Sequence, residues 1–179
     1  MITNYARRLQ RSDGLFDHSI EAKTAWGRGN GFAALGLAET LFVLPVNHMD
    51  RDSILDIYRR HMYAISNHQA ADGMWQQVVD EPGSYRETSV TAAIVTAMAR
   101  GLRKGWLGNS FRPVVERGWN ALLAHVVDDG TLVDVCISTG AGLTKRHYLD
   151  RRAVNGADDR GGAMVLGAAL EIYALNQMS

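Results

Sequence analysis

Asp13-Gly14-Leu15-Phe16, Asp72-Gly73-Met74-Trp75 and Asp129-Gly130-Thr131-Leu132 repeat one pattern: a tight-turn dipeptide followed at once by apolar residues. Their starting positions define a unit of about 58 residues, and a fixed period of tens of residues marks an array of similar supersecondary units. Three such units fill the chain. After each turn comes a short extended piece, then a polar loop, then a helix; in the first two units a second helix precedes the next turn. The helical segments 30–43, 88–102 and 162–175 are apolar nearly all round, which predicts burial on most sides. Between them, Ile54, Ile57, Tyr58, His61, Met62 and Ile65 step at one-faced helical spacing, as do Phe111, Val114, Val115, Gly118, Trp119, Leu122, Leu123 and Val126.

Buried helices alternating with one-faced helices require two concentric layers, whereas an ordinary bundle gives every helix a single apolar stripe. The expected architecture is therefore all-α, an α/α toroid of helical hairpins. Residues 1–179 are expected to form one partial barrel domain, with hairpin repeats starting near 13, 72 and 129. Three hairpins make only an arc, about half a ring, and an arc of buried inner helices leaves apolar flanks of a size unusual on a soluble monomer. The apolar pieces 74–79 and 131–137 are read as a pair of small strands at one rim.

The composition narrows the classes of function. In 179 residues, nineteen basic side chains balance nineteen acidic ones, so no net field attracts nucleic acid or an anionic membrane surface. No apolar run reaches the roughly 18 residues of a membrane helix, and no apolar core follows the first eight residues, so a cytoplasmic protein is expected. The single Cys136 excludes an internal disulfide framework and a cysteine-ligated zinc site, and it reads as a buried, inert thiol. His48, His61, His68, His125 and His147 show no metal-ligand spacing together, so no metal is expected.

Loops before the inner helices gather at one end of such a ring, where a site is expected. The first carries His18 and Trp26-Gly27-Arg28-Gly29-Asn30-Gly31-Phe32, the second Tyr85-Arg86-Glu87-Thr88-Ser89, the third Asn155 to Gly162. Arg28 opposes the helix macrodipole at a helix start, so an anion must face it: either a ligand, or Glu87 or Asp159 from a neighbouring loop. Trp26 and Phe32 read as a sugar-stacking floor or as core packing. His18 is a hydrogen-bonding or acid/base candidate, or a satisfied structural histidine. Ser84 with Glu87 fits a capping box, and Glu87 with Asp159 permits a paired-carboxylate glycosidase.

These segments together resemble glycoside hydrolase families 88 and 105, the unsaturated glucuronyl and rhamnogalacturonyl hydrolases, and the latter more closely. Gly14-Leu15-Phe16-Asp17-His18 followed by Trp26 to Phe32 carries the resemblance, with Gln69 to Trp75, Pro82 to Ser89, Ala99-Arg100-Gly101, Gly105-Trp106-Leu107 and Asp159 to Ala163 in the same order. The resemblance implies a six-hairpin ring that hydrates the C4=C5 double bond of a terminal unsaturated uronic acid, so that the hemiketal breaks down and releases the sugar from pectin- or glycosaminoglycan-derived oligosaccharides. It implies no cofactor, an oligosaccharide partner, and substrate-pocket roles for His18, Trp26, Arg28 and Phe32. Phe32 stands where a tryptophan is usual, and Arg160 where histidine is commoner. The family's acid/base aspartate lies in a Trp-x-Asp context on an earlier hairpin, and nothing in residues 1–12 matches it. The chain is accordingly expected to align with the C-terminal half, to lack a catalytic residue of its own, and to need an N-terminal half chain or another copy over its flanks. The competing readings are a non-catalytic sugar-binding or self-associating module, and a sugar epimerase with His18 and His147 as its histidine pair.

Overall fold

In all three Asp-Gly turns the glycine is left-handed, at φ +95° for Gly14, +94° for Gly73 and +85° for Gly130. The aspartate side chain of each accepts a bond from the backbone N–H two residues on, at Leu15, Met74 and Thr131, over 3.0, 3.0 and 2.8 Å. The first two turns share a further device. Gln10 Nε2 donates to the Gly14 and Ile57 carbonyls, and Gln69 Nε2 to those of Gly73 and Val114. Arg60 and Arg117 donate in turn to the two glutamine carbonyl oxygens. Each turn is thus clamped to the outer helix that follows it in sequence.

The computed structural model describes residues 1–178, with the helices α1 (Ile2–Leu9), α2 (Gly27–Val43), α3 (Arg51–Ser66), α4 (Thr88–Arg103), α5 (Arg112–Leu123), α6 (Lys145–Leu149) and α7 (Asp159–Asn176). Inner helices α2, α4 and α7 pack side by side in that order, with α3 outside α2, α5 outside α4, and α1 against α3. Small residues set the spacing: a Cβ on Gly31 of α2 would lie 2.9 Å from the Ala93 Cβ of α4. At the far end from the loops, Glu171 of α7 receives Arg100 Nε at 2.7 Å and Arg103 Nη2 at 2.9 Å, and Arg100 also pairs with Glu39 of α2. All three inner helices meet in that network.

The expected helices and layers are present, and the architecture is an arc of helical hairpins, about half of a six-hairpin α/α toroid. Burial on most sides holds for α4 but not for its neighbours. Leu166, Leu170 and Tyr173 of α7 are 62, 62 and 68% exposed, and Phe32, Phe42 and Val43 of α2 are exposed too. An arc gives only its middle helix two inner neighbours. The strand expectation is corrected: β1 (Leu132–Cys136) pairs antiparallel with β2 (Ala153–Gly156), not with 74–79. Met74 to Val79 makes only single bridges, Val78 to Trp26 and Gln76 to Arg86, because it runs between the first and second loops.

Gly73 and Gly130 provide a direct test of the turns. A Cβ on Gly73 would lie 2.5 Å from the Arg117 carbonyl oxygen, whereas nothing lies within 4 Å of the same position at Gly130. Gly130→Ala should cost only the left-handed strain, about 1 kcal/mol. Gly73→Ala adds a backbone collision and should cost about 3 kcal/mol or more in urea unfolding. Equal losses would show that the second turn is not packed as described.

Candidate functional site

The loops before α2, α4 and α7 meet around one buried carboxylate. Glu87 is the N-cap of α4; its side chain accepts the Ser89 and Val90 backbone N–H groups at 3.1 and 2.8 Å, the Ser89 hydroxyl at 2.7 Å, and the Cys136 N–H at 2.9 Å. The capping-box expectation is corrected here. Backbone pairing of Gln77 with Tyr85 and of Gln76 with Arg86 keeps residues 85–87 out of the helix, which starts three residues later, and Ser84 Oγ instead accepts the Val78 N–H.

Arg28 faces this carboxylate, its Nη2 3.8 Å from Glu87 Oε1. Its Nε donates to Ser89 Oγ at 2.9 Å and its Nη2 to the Cys136 carbonyl. The anion demanded by a cation at a helix start is therefore Glu87; Asp159 lies exposed in the first turn of α7, where Asp158 caps the helix by accepting the Gly161 N–H. At 2% exposure Arg28 lies beneath the site rather than in its lining. With its oxygens filled by these donors, Glu87 has no role left as half of a carboxylate pair.

A groove of about 430 Å³ opens between α1 and α2, and His18, Trp26 and Phe32 line it together with Tyr5, Asp17 and Gly29. The structure thus brings three of the four expected pocket residues to one surface. Trp26 lies 4.6 Å from the His18 ring, centroid to centroid, and the Arg28 guanidinium sits 5.8 Å from its own ring centre. Its indole N–H has no partner among the described residues. Phe32, 51% exposed, presents a free ring six residues further along, in α2. Asn30, fully buried, latches the loop to the helix: it donates to the Phe16 and Trp26 carbonyls and accepts the Phe16 N–H.

Tyr148, Gln77 and the Cys136 backbone were not singled out by the sequence. Tyr148 lies on the short α6, and its phenol oxygen is 2.7 Å from His18 Nδ1 and accepts the Gly142 N–H at 3.1 Å. Gln77 donates to the Tyr148 carbonyl at 3.0 Å. Together with Ala22, Trp26, Val78 and Cys136, Tyr148 forms a small apolar cluster under the loops, separate from the main core. Burial first, and His147 second, hold the His18 imidazole below its ordinary pKa. His147 packs on the Tyr148 ring and its Nε2 is 2.7 Å from Thr139 Oγ1, so the two histidines meet through Tyr148 rather than facing a common ligand position. Among the described residues no group of three or more His, Cys, Asp and Glu side chains could hold a metal ion, and no helix is long and apolar enough to cross a membrane.

An arc of helical hairpins with an aromatic-lined groove beside the N-terminal ends of its inner helices is the frame of an α/α toroid. The chain belongs to Glycosyl Hydrolase Family 88, whose profile matches residues 5–176. It is 33% identical over 108 residues to an unsaturated 3S-rhamnoglycuronyl hydrolase of Alteromonas sp. (strain LOR), a match covering 59% of this chain and 26% of that protein. It is 32% identical over 114 residues to the unsaturated rhamnogalacturonyl hydrolase YesR of Bacillus subtilis (strain 168), covering 64% and 31%. Among solved structures, the family 105 glycoside hydrolase of C. acetobutylicum ATCC 824 superposes with a TM-score of 0.87 at 25% identity, covering 97% of this chain and 56% of that one. A possible GH105 member from Salmonella enterica gives a TM-score of 0.89 at 22% identity, covering 98% and 48%. The chain thus spans about half the length of these solved relatives and less than a third of the two enzymes.

Removing one partner of a buried ion pair strands the other, at a cost of about 3–5 kcal/mol. Arg28→Ala should destabilise the protein on that scale in denaturant unfolding. Arg28→Lys should recover only part of the loss, because an ammonium cannot reproduce the fork that reaches both Ser89 and the Cys136 carbonyl. An unchanged unfolding midpoint for Arg28→Ala would show that the guanidinium does not hold these loops together.

Proposed function

We propose that this chain is the C-terminal half of a hydrolase that releases a terminal 4,5-unsaturated uronic acid from pectin- or glycosaminoglycan-derived oligosaccharides by hydrating its double bond. The observation that carries the reading is the groove wall of His18, Trp26 and Phe32 in a chain of this family. Phe32 gives the apolar face of a sugar ring something to stack on, the largely buried Trp26 backs the wall beside it, and His18 offers a nitrogen to the sugar oxygens. Arg28 acts from below by fixing the loop that carries Trp26.

The chain alone binds but does not catalyse, on this reading. Proton donation to a carbon–carbon double bond needs a placed acid within bonding reach. Asp17 is the carboxylate among the groove-lining residues, and it is buried and paired with Lys23 at 3.2 Å. Glu87 is taken up by its donors and Arg28. The acid then comes from a polypeptide that covers the exposed flanks of α2 and α7, either an N-terminal half chain or another copy. A purely sugar-binding or self-associating module is the second reading, favoured by the same absence of a free acid in the groove.

Incubation with an unsaturated rhamnogalacturonan disaccharide, followed by ultraviolet absorbance of the double bond, should show no loss with the chain alone. Rapid loss would sink the assignment of the acid elsewhere. Calorimetry with the same disaccharide should show binding that Phe32→Ala weakens by about 1 kcal/mol, a factor of roughly five; binding indifferent to Phe32 would remove it from the site. Light scattering should find a dimer or larger species that Leu170→Glu dissociates, and a stable wild-type monomer would mean that the flanks need no cover.

A further inference from the structure

His18 touches the groove, but its chemistry is decided on its other side. Tyr148 is fully buried, and its phenol oxygen already accepts the Gly142 N–H. The phenol must also place its own proton. Among the described residues, the one acceptor within reach is His18 Nδ1, at 2.7 Å. If His18 carried its proton on Nδ1, two donors would meet and the phenol proton would be left without a partner, which costs about 1–3 kcal/mol for a buried group.

We propose that Tyr148 is a positioning residue that fixes His18 as the Nε2–H tautomer, so that His18 serves the groove as a permanent hydrogen-bond donor and not as a general base. Its Nδ1 lone pair is consumed by the phenol. Nε2 has no protein partner among the described residues, and His18 lines both the first groove and an adjoining one of about 520 Å³. A donor of this kind recognises an oxygen acceptor, a hydroxyl, ether or carboxylate, without gaining or losing charge itself. The imidazolium form is disfavoured for the same reason as the wrong tautomer, since it also needs a proton on Nδ1. The charged and titratable groups around the ring are His147 and Tyr148 from the covering loop, Asp17 and Glu21 on its own loop, and Tyr5 and Arg8 from α1. Asp17 is engaged by Lys23, Glu21 accepts the Ser19 hydroxyl, and neither carboxylate forms an ion pair with the His18 ring.

This assignment deepens the proposed function by naming what His18 does there, but it is read on the ligand-free protein and is tested without a sugar. Long-range proton–nitrogen correlation spectra of 15N-labelled protein, with His18→Gln to identify the signals, report the tautomer directly. At neutral pH the His18 Nδ1 should be pyridine-like and Nε2 pyrrole-like. Tyr148→Phe removes one oxygen from a buried ring and should yield a mixed or inverted tautomer, with the titration midpoint of His18 moving up as the neutral form loses its partner. A pyrrole-like Nδ1 in the wild type overturns the proposal, whether or not the variant folds. Unchanged His18 nitrogen shifts in Tyr148→Phe overturn it as well. Should the tautomer be as proposed while the disaccharide fails to bind, Tyr148 keeps its role and the sugar reading falls.

Discussion

The carboxylate of Glu87 is the point on which the loop end of this protein depends. It belongs to the second unit, accepts an N–H from the third at Cys136, and pairs with Arg28 of the first. As an N-cap it answers the dipole of α4 and satisfies that helix's free N–H groups. Through Arg28 it also offsets the cation that would otherwise destabilise the start of α2. Charge-assisted bonds in a dry setting are strong and directional, and their geometry transmits position well. Because Arg28 follows Trp26 by two residues, fixing its guanidinium fixes the loop that lines the groove.

Around this hub the site is arranged in depth. The ion pair lies lowest, a small apolar cluster of Trp26, Val78, Cys136 and Tyr148 comes next, and the groove-facing His18 and Phe32 are outermost. Trp26 belongs to both of the upper levels: its ring sits in the buried cluster and also lines the groove. Of the two readings the sequence offers for this residue, core packing is the one its burial supports directly. Phe32 divides from it clearly, since it is exposed on a helix face where no inner neighbour stands.

Much of the fold was legible because it rests on local chemistry. Asp-Gly turns carry their own side-chain bond and their own glycine conformation, and the difference between α3 and α4 is a difference in apolar pattern. What was illegible depends on neighbours. The partner of β1 is decided by the loop that returns after α6, and α6 itself is five residues capped by Thr144, too short to show a period. Exposure of Leu166, Leu170 and Tyr173 follows from the position of α7 at the end of the arc, which its all-round apolar sequence does not encode. Within the site, Glu87 is the one of three expected anions, beside a ligand and Asp159, that faces Arg28. Tyr148 carried no motif and is found only where the chain returns past the first loop.

The glutamine clamps bear on how such an assembly holds together. Gln10 and Gln69 each join a turn to the outer helix of the same unit, and the units are joined in turn through neighbouring inner helices, α2 to α4 and α4 to α7. Coupling through helices side by side is close to one-dimensional, as in a solenoid, where stability accumulates from nearest-neighbour interfaces; at the loop end Arg28 and His18 of the first unit add direct ties to the third. A ring made this way is a linear array bent until its ends meet. Its closure adds an interface without supplying the cohesion of the rest, and an open segment keeps its shape while leaving two apolar faces in search of a neighbour.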